Sequence, residues 1–129
     1  MIRPVKGPAD IFDTVRDVGL TLPDIEAATK YDGSPVLRAN GIFVAGIATH
    51  RSAEPGTLVV RCGLEERQCL LEDAPETYYV TDYYQPHPVV LVHLSRIDRD
   101  ALRELLAISR RLALAKSRRS RTARSSEST

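Results

Sequence analysis

The sequence predicts an α+β domain, a two-layer sandwich whose antiparallel sheet carries its helices packed on one face. Three observations predict it. Amphipathic helical stretches lie near both ends of the chain, Asn40-Gly41 sits between two β-like runs, and the elements fall in the order α-β-β-β-β-α-β-β-α, with strands in groups rather than alternating with helices.

The first helix opens at Pro8, whose fixed φ suits a first helical turn, and closes at Gly19, which can take the left-handed conformation just past a helix end. Ile11, Phe12, Val15 and Val18 form its buried stripe, with Asp10, Asp13 and Asp17 outside it. Leu22-Pro23 ends the segment, because proline pushes its predecessor out of helical space. Short strands follow over Glu26 to Tyr31 and Val36 to Asn40, separated by the turn Asp32-Gly33-Ser34-Pro35, and a longer one over Ile42 to Thr49. Asn40 and Gly41 both tolerate positive φ, which a type I′ hairpin turn requires. Thr57 to Cys62 returns after the loop His50 to Gly56. Leu64, Leu70 and Leu71 among Glu65, Glu66 and Arg67 read as a short amphipathic helix stopped by Pro75, and Thr77 to Thr81 and Val89 to Leu94 add two strands. Asp98 is the N-cap of the last helix, whose stripe is Leu102, Leu105, Leu106, Ser109, Leu112 and Ala113, with Arg99, Arg103, Arg110 and Arg111 largely in solvent.

Charge divides the 129-residue chain unevenly. Residues 110–129 hold seven basic side chains against Glu127 alone, whereas residues 1–109 carry a net charge of −5. Residues 1–116 suit one domain, long enough to bury about two-thirds of its unfolded surface. Residues 117–129 contain no apolar side chain larger than alanine, so burial cannot offset their ordering entropy and a disordered basic tail is expected. Two cysteines, Cys62 and Cys69, fit a reducing compartment and fall short of a structural zinc set. With no apolar run near the roughly 18 residues of a membrane span and no signal-peptide core at the start, the expectation is a soluble cytoplasmic protein that does not engage a membrane.

Four segments in order carry a resemblance. They are Leu22-Pro23-Asp24-Ile25-Glu26; Gly33 through Ala45 across the first hairpin; Glu65-Glu66-Arg67 through Glu72-Asp73-Ala74-Pro75-Glu76; and Tyr79 through Tyr84 with Pro88 through Val92, leading into Leu102 to Arg111. Over residues 8–114 the chain resembles the MmcQ/YjbR family of small bacterial proteins. The resemblance implies a sandwich similar to the type III secretion chaperone fold and a "double wing" mode of DNA binding. The tryptophan often present in that family's last strand is missing, since the chain has none, which excludes a tryptophan stacking contact.

Catalytic and metal chemistry find little footing. His87 and His93 lie six residues apart, about 20 Å along an extended strand, and share no ion without a fold-back, while His50 falls in a hairpin loop and is expected in solvent. No G-x-S-x-G, H-E-x-x-H or phosphate-loop motif is present, and the acid pairs Glu65-Glu66 and Glu72-Asp73 sit where exposed helical carboxylates are ordinary. No cofactor and no catalysis are expected. Tyr78, Tyr79, Tyr83 and Tyr84 crowd seven residues, but strand alternation sends Tyr78 and Tyr79 to opposite faces, so they read chiefly as packing rings with hydroxyls at the rim. Ser109, inside an apolar stripe, reads as a small residue bonded back to a helical carbonyl.

The expected function is non-enzymatic DNA binding with little sequence preference. Phosphate contacts are assigned to Lys116, Arg118, Arg119, Arg121 and Arg124, with wing contributions from Arg38 and Arg51 and, on the same grounds, Arg61. The alternative is a protein-interaction or chaperone-like module with an acidic or basic protein partner, suggested by the acidic body.

Overall fold

The computed structural model describes the backbone of residues 8–127 and the side chains of residues 11–119. Its elements are α1 (Pro8–Gly19), β1 (Ile25–Thr29), β2 (Pro35–Ala39), β3 (Ile42–Ile47), β4 (Thr57–Arg61), α2 (Leu64–Asp73), β5 (Tyr78–Tyr79), β6 (Val89–His93) and α3 (Arg99–Glu127). The six strands form one antiparallel sheet in the order β1-β2-β3-β4-β6-β5, an α+β architecture with the predicted succession of elements.

Period-two alternation divides the strands between two faces. Leu37, Val44, Leu58, Val60, Val90 and Val92 join Phe12, Val15 and Val18 of α1 and Leu102, Leu105 and Leu106 of α3 in the main core. On the other face Val59, Val89 and Leu91 lie under Tyr84, with Phe43 and Tyr79 beside them. Tyr78 belongs to the first cluster and Tyr79 to the second, as alternation requires. The helices α1 and α3 cover the inner face, and a loop, residues 80–88, folds over the outer one.

Local signals act where expected at two sites. Asn40 and Gly41 adopt φ of 51° and 78°, the paired positive values of the predicted hairpin turn. The Asp98 carboxylate accepts the Ala101 N–H at 2.8 Å, capping α3.

Several local readings are corrected by tertiary contacts. Gly19 ends α1 without entering the left-handed region; a Cβ there would lie 2.5 Å from Leu37 Cδ1, so the glycine permits close approach of α1 to β2. α2 buries no residue along its length, and Leu64 is 60 % exposed, because the helix packs on the hydrophobic core only through the partly buried Leu70 and Leu71. The strand expected over Thr77 to Thr81 shrinks to Tyr78–Tyr79, since the chain leaves the sheet at Val80 to form the outer loop. Arg110 is not free in solvent: its guanidinium donates to the Pro23 carbonyl at 2.5 Å and to Asp24 Oδ2 at 2.9 Å, tying α3 to the entry of β1.

Ser109 is fully buried, but its hydroxyl donates across to the Val44 carbonyl at 2.9 Å and not back along α3. Val44 is the extra residue of a bulge between β2 and β3 and has no strand partner in either register, so a helix hydroxyl satisfies what the ladder leaves over.

α3 extends into the stretch expected as a tail. Its helical backbone continues past Lys116 to Glu127. Residues 117–127 contain neither proline nor glycine, and a helix already nucleated adds one hydrogen bond for each residue it fixes. Ser117 remains buried, so the packed face runs beyond the expected domain end. Residues 128 and 129 lie outside the described residues. No helix among the described residues is long and apolar enough to cross a membrane.

Candidate nucleic-acid interface

The basic side chains come from α3, β4, β2 and the β3–β4 connection. α3 carries Lys116, Arg118 and Arg119, all exposed. Arg121 and Arg124 fall on the same helical backbone, with side chains outside the described residues. Spacing of three puts Lys116 and Arg119 on one helical face, above Leu112. There they meet Arg61 from the end of β4, and the three line one cavity of about 460 Å³ with Cys62, Gly63 and Pro88. Among the described residues lining it none is acidic. The Glu66 carboxylate folds against Gly63, one of the lining residues, at the start of α2.

Arg61 is held and partly desolvated. Its Nε donates to the Phe43 carbonyl at 2.6 Å, and burial pulls its guanidinium below the ordinary arginine value without removing its charge at neutral pH. A half-dehydrated cation loses less hydration when an anion arrives, which suits phosphate contact. Arg38 is paired with Phe43 in the β2–β3 register, so it stands on the outer face two strands from Arg61, with β3 between them. Arg38, Arg61, Lys116 and Arg119 thus form a band along one end of the sheet. Arg51 does not join it. It sits exposed in the β3–β4 connection, separated from Arg61 by the whole of β4, about 15 Å.

A second site on the outer face was not foreseen from the sequence. His50, expected in solvent, stacks on Tyr83 with ring centroids 3.5 Å apart and planes within 7°. Tyr84 stands nearly perpendicular to both rings, and its hydroxyl accepts the His50 backbone N–H at 3.3 Å. Burial pushes the Tyr84 hydroxyl pKa upward, leaving it neutral and able to hold this contact. The loop carrying both tyrosines is anchored from α2: Arg67 Nη1 lies 3.1, 3.0 and 3.2 Å from the carbonyl oxygens of Gln85, His87 and Val89. The tyrosine run was a sequence signal; the partners His50 and Arg67, 33 and 16 residues before Tyr83, were not legible as such.

Replacing Arg67 with alanine should release this loop. A hydrogen bond from a charged donor is worth about 1.5–3 kcal/mol, and Nη1 has two N–H groups to share among the three carbonyls; their loss is expected to speed amide exchange at Tyr84 and His87 well before the core amides respond. Unchanged exchange at those two amides would show that Arg67 does not hold the loop.

Two other cavities among the described residues offer less chemistry. One of about 410 Å³ between α1 and the segment after β6 includes Asp98, already engaged as the α3 cap. Another, about 370 Å³ between α2 and α3, is lined by Cys62, Cys69, Glu65 and Glu66. Burial, with Glu66 adding to it, pushes the Cys62 thiol up to about 11, so it is no nucleophile at neutral pH. Among the described residues no group of three or more His, Cys, Asp or Glu side chains could hold a metal ion.

Comparison with protein-family models, curated proteins and solved structures returns no significant match for this chain. The fold and its charged side chains define an α+β domain with a basic band at one end of its sheet.

Proposed function

We propose that this is a non-enzymatic DNA-binding protein of the MmcQ/YjbR type, which contacts phosphates through Arg61, Lys116, Arg118 and Arg119, with Arg38 extending the track and Arg121 and Arg124 continuing it along α3. The observation that carries the reading is the convergence of Arg61, Lys116 and Arg119 on one cavity without an acidic lining residue. Like charges gathered this way repel one another, and a polyanion relieves that repulsion while releasing its own counterions. The net −5 of residues 1–109 restricts contact to this band. Phosphate contacts read no base edges, so little sequence preference is expected.

A salt titration of DNA binding tests this. Four phosphate contacts predict that log affinity falls against log salt with a slope of about −4 on duplex and about −3 on single-stranded DNA, with similar values for unrelated sequences. No measurable binding at low salt would sink the reading and leave a protein-interaction module as the alternative.

A further inference from the structure

The pocket around the His50–Tyr83 stack shares no lining residue with the basic cavity. It is a concavity of about 300 Å³ on the outer face, lined by Lys30, Phe43, His50, Val59, Tyr83 and Tyr84. That volume is at the lower end of the roughly 300–1,000 Å³ range of small-ligand pockets, which suits one planar ring. Gly46 leaves room beneath it: a Cβ there would stand 3.2 Å from Phe43 Cε2, so the glycine lets that ring lie flat along β3. Tyr83, stacked on His50 and 6.3 Å from the tilted His87 ring, is still 52 % exposed. Lys30, whose ammonium lies 5.9 Å from the Phe43 ring centroid, has no ion-pair partner among the described residues. The nearby Asp32 carboxylate is engaged by the Ser34 hydroxyl at 2.6 Å and backbone N–H at 3.0 Å.

Phe43 connects this pocket to the basic band. Its ring lines the pocket while its carbonyl holds Arg61. A strand whose phosphates follow Lys116, Arg119 and Arg61 is therefore brought to an aromatic recess with a further cation, Lys30, on its far side. Bases in a duplex are stacked on one another and cannot enter such a recess without being flipped out, whereas an unpaired base can. We propose that the pocket is a base-stacking site and that the preferred ligand of the basic band is single-stranded DNA. The inference rests on the DNA-binding reading above and adds the form of nucleic acid recognised.

The test uses the full chain and two labelled oligonucleotides of about ten nucleotides, one of thymidines and one of abasic residues with the same phosphates. Stacking predicts that the base-bearing strand binds about 10- to 100-fold more tightly. Tyr83→Ala should erase that difference without changing the salt slope, because the ring touches no phosphate, while Tyr83→Phe should retain it. Tyr83 is half exposed and its loop is held by Arg67, so the alanine variant is expected to fold; His50→Ala, which removes the other ring of the stack, should weaken base-dependent binding in the same direction. Equal binding of the two oligonucleotides by the unaltered protein, with the expected salt slope, would overturn the base-stacking site and leave the phosphate reading standing. Failure of both to bind at low salt would overturn the two together.

Discussion

Lys116→Ala combined with Arg119→Ala is expected to weaken duplex DNA binding about 100-fold at roughly 50 mM salt and to flatten the salt slope by about 2. Each phosphate contact releases about 0.9 counterion, and at that salt each release is worth slightly more than a decade in affinity. Both side chains are exposed on α3, so their truncation should leave the melting temperature nearly unchanged. Arg51→Ala provides the contrast. It lies at the other end of β4 and should alter neither affinity nor slope. Anisotropy titrations at several salt concentrations separate the cases, and a double variant with an unaltered slope would remove the basic band from the site.

Leu106→Ala should lower the unfolding free energy by about 2–5 kcal/mol. Leu106 is fully buried where α3 meets the sheet, in the cluster with Phe12, Val15, Leu37 and Leu58. Truncation removes its transfer free energy and leaves a cavity that the surrounding strands and α1 cannot collapse to fill. For a chain of this length, about 4 °C per kcal/mol puts the loss in melting temperature at roughly 8–20 °C. Leu64→Ala, at a position 60 % exposed on α2, should stay within about 0.5 kcal/mol. A thermal denaturation series comparing the two would refute the assigned core if Leu106→Ala melted with the parent.

The signals that succeeded were those whose cause lies within a few residues. Asn40-Gly41 makes its turn because the backbone geometry needs positive φ there, and Asp98 caps α3 because its carboxylate reaches an N–H three residues on. Readings failed where a partner came from far along the chain. Gly19 looked like a helix terminator, but its role is set by Leu37; Ser109 looked self-contained, but its acceptor is the bulge carbonyl of Val44.

The candidate site divides in the same way. Lys116 and Arg119 were nameable from charge alone, and Arg38 and Arg61 from their place on strands, but which of them share a cavity depended on where α3 crosses the sheet. The tyrosine cluster was visible, whereas its assembly with His50 and Phe43 required the loop of residues 80–88 to fold over the outer face under the hold of Arg67.

By itself, the sequence determined the α+β class, the order of elements, the first hairpin turn, the cap of α3 and the excess of positive charge toward the C-terminus. Each follows from periodicity, a backbone preference or composition, all of them local properties. Only the tertiary structure decided that Arg61 joins Lys116 and Arg119, that Arg51 stands apart, and that His50 and Tyr83 stack over a pocket. Those are contacts between residues tens of positions apart, chosen by strand register and by the burial of both sheet faces, and no local pattern in the chain encodes them.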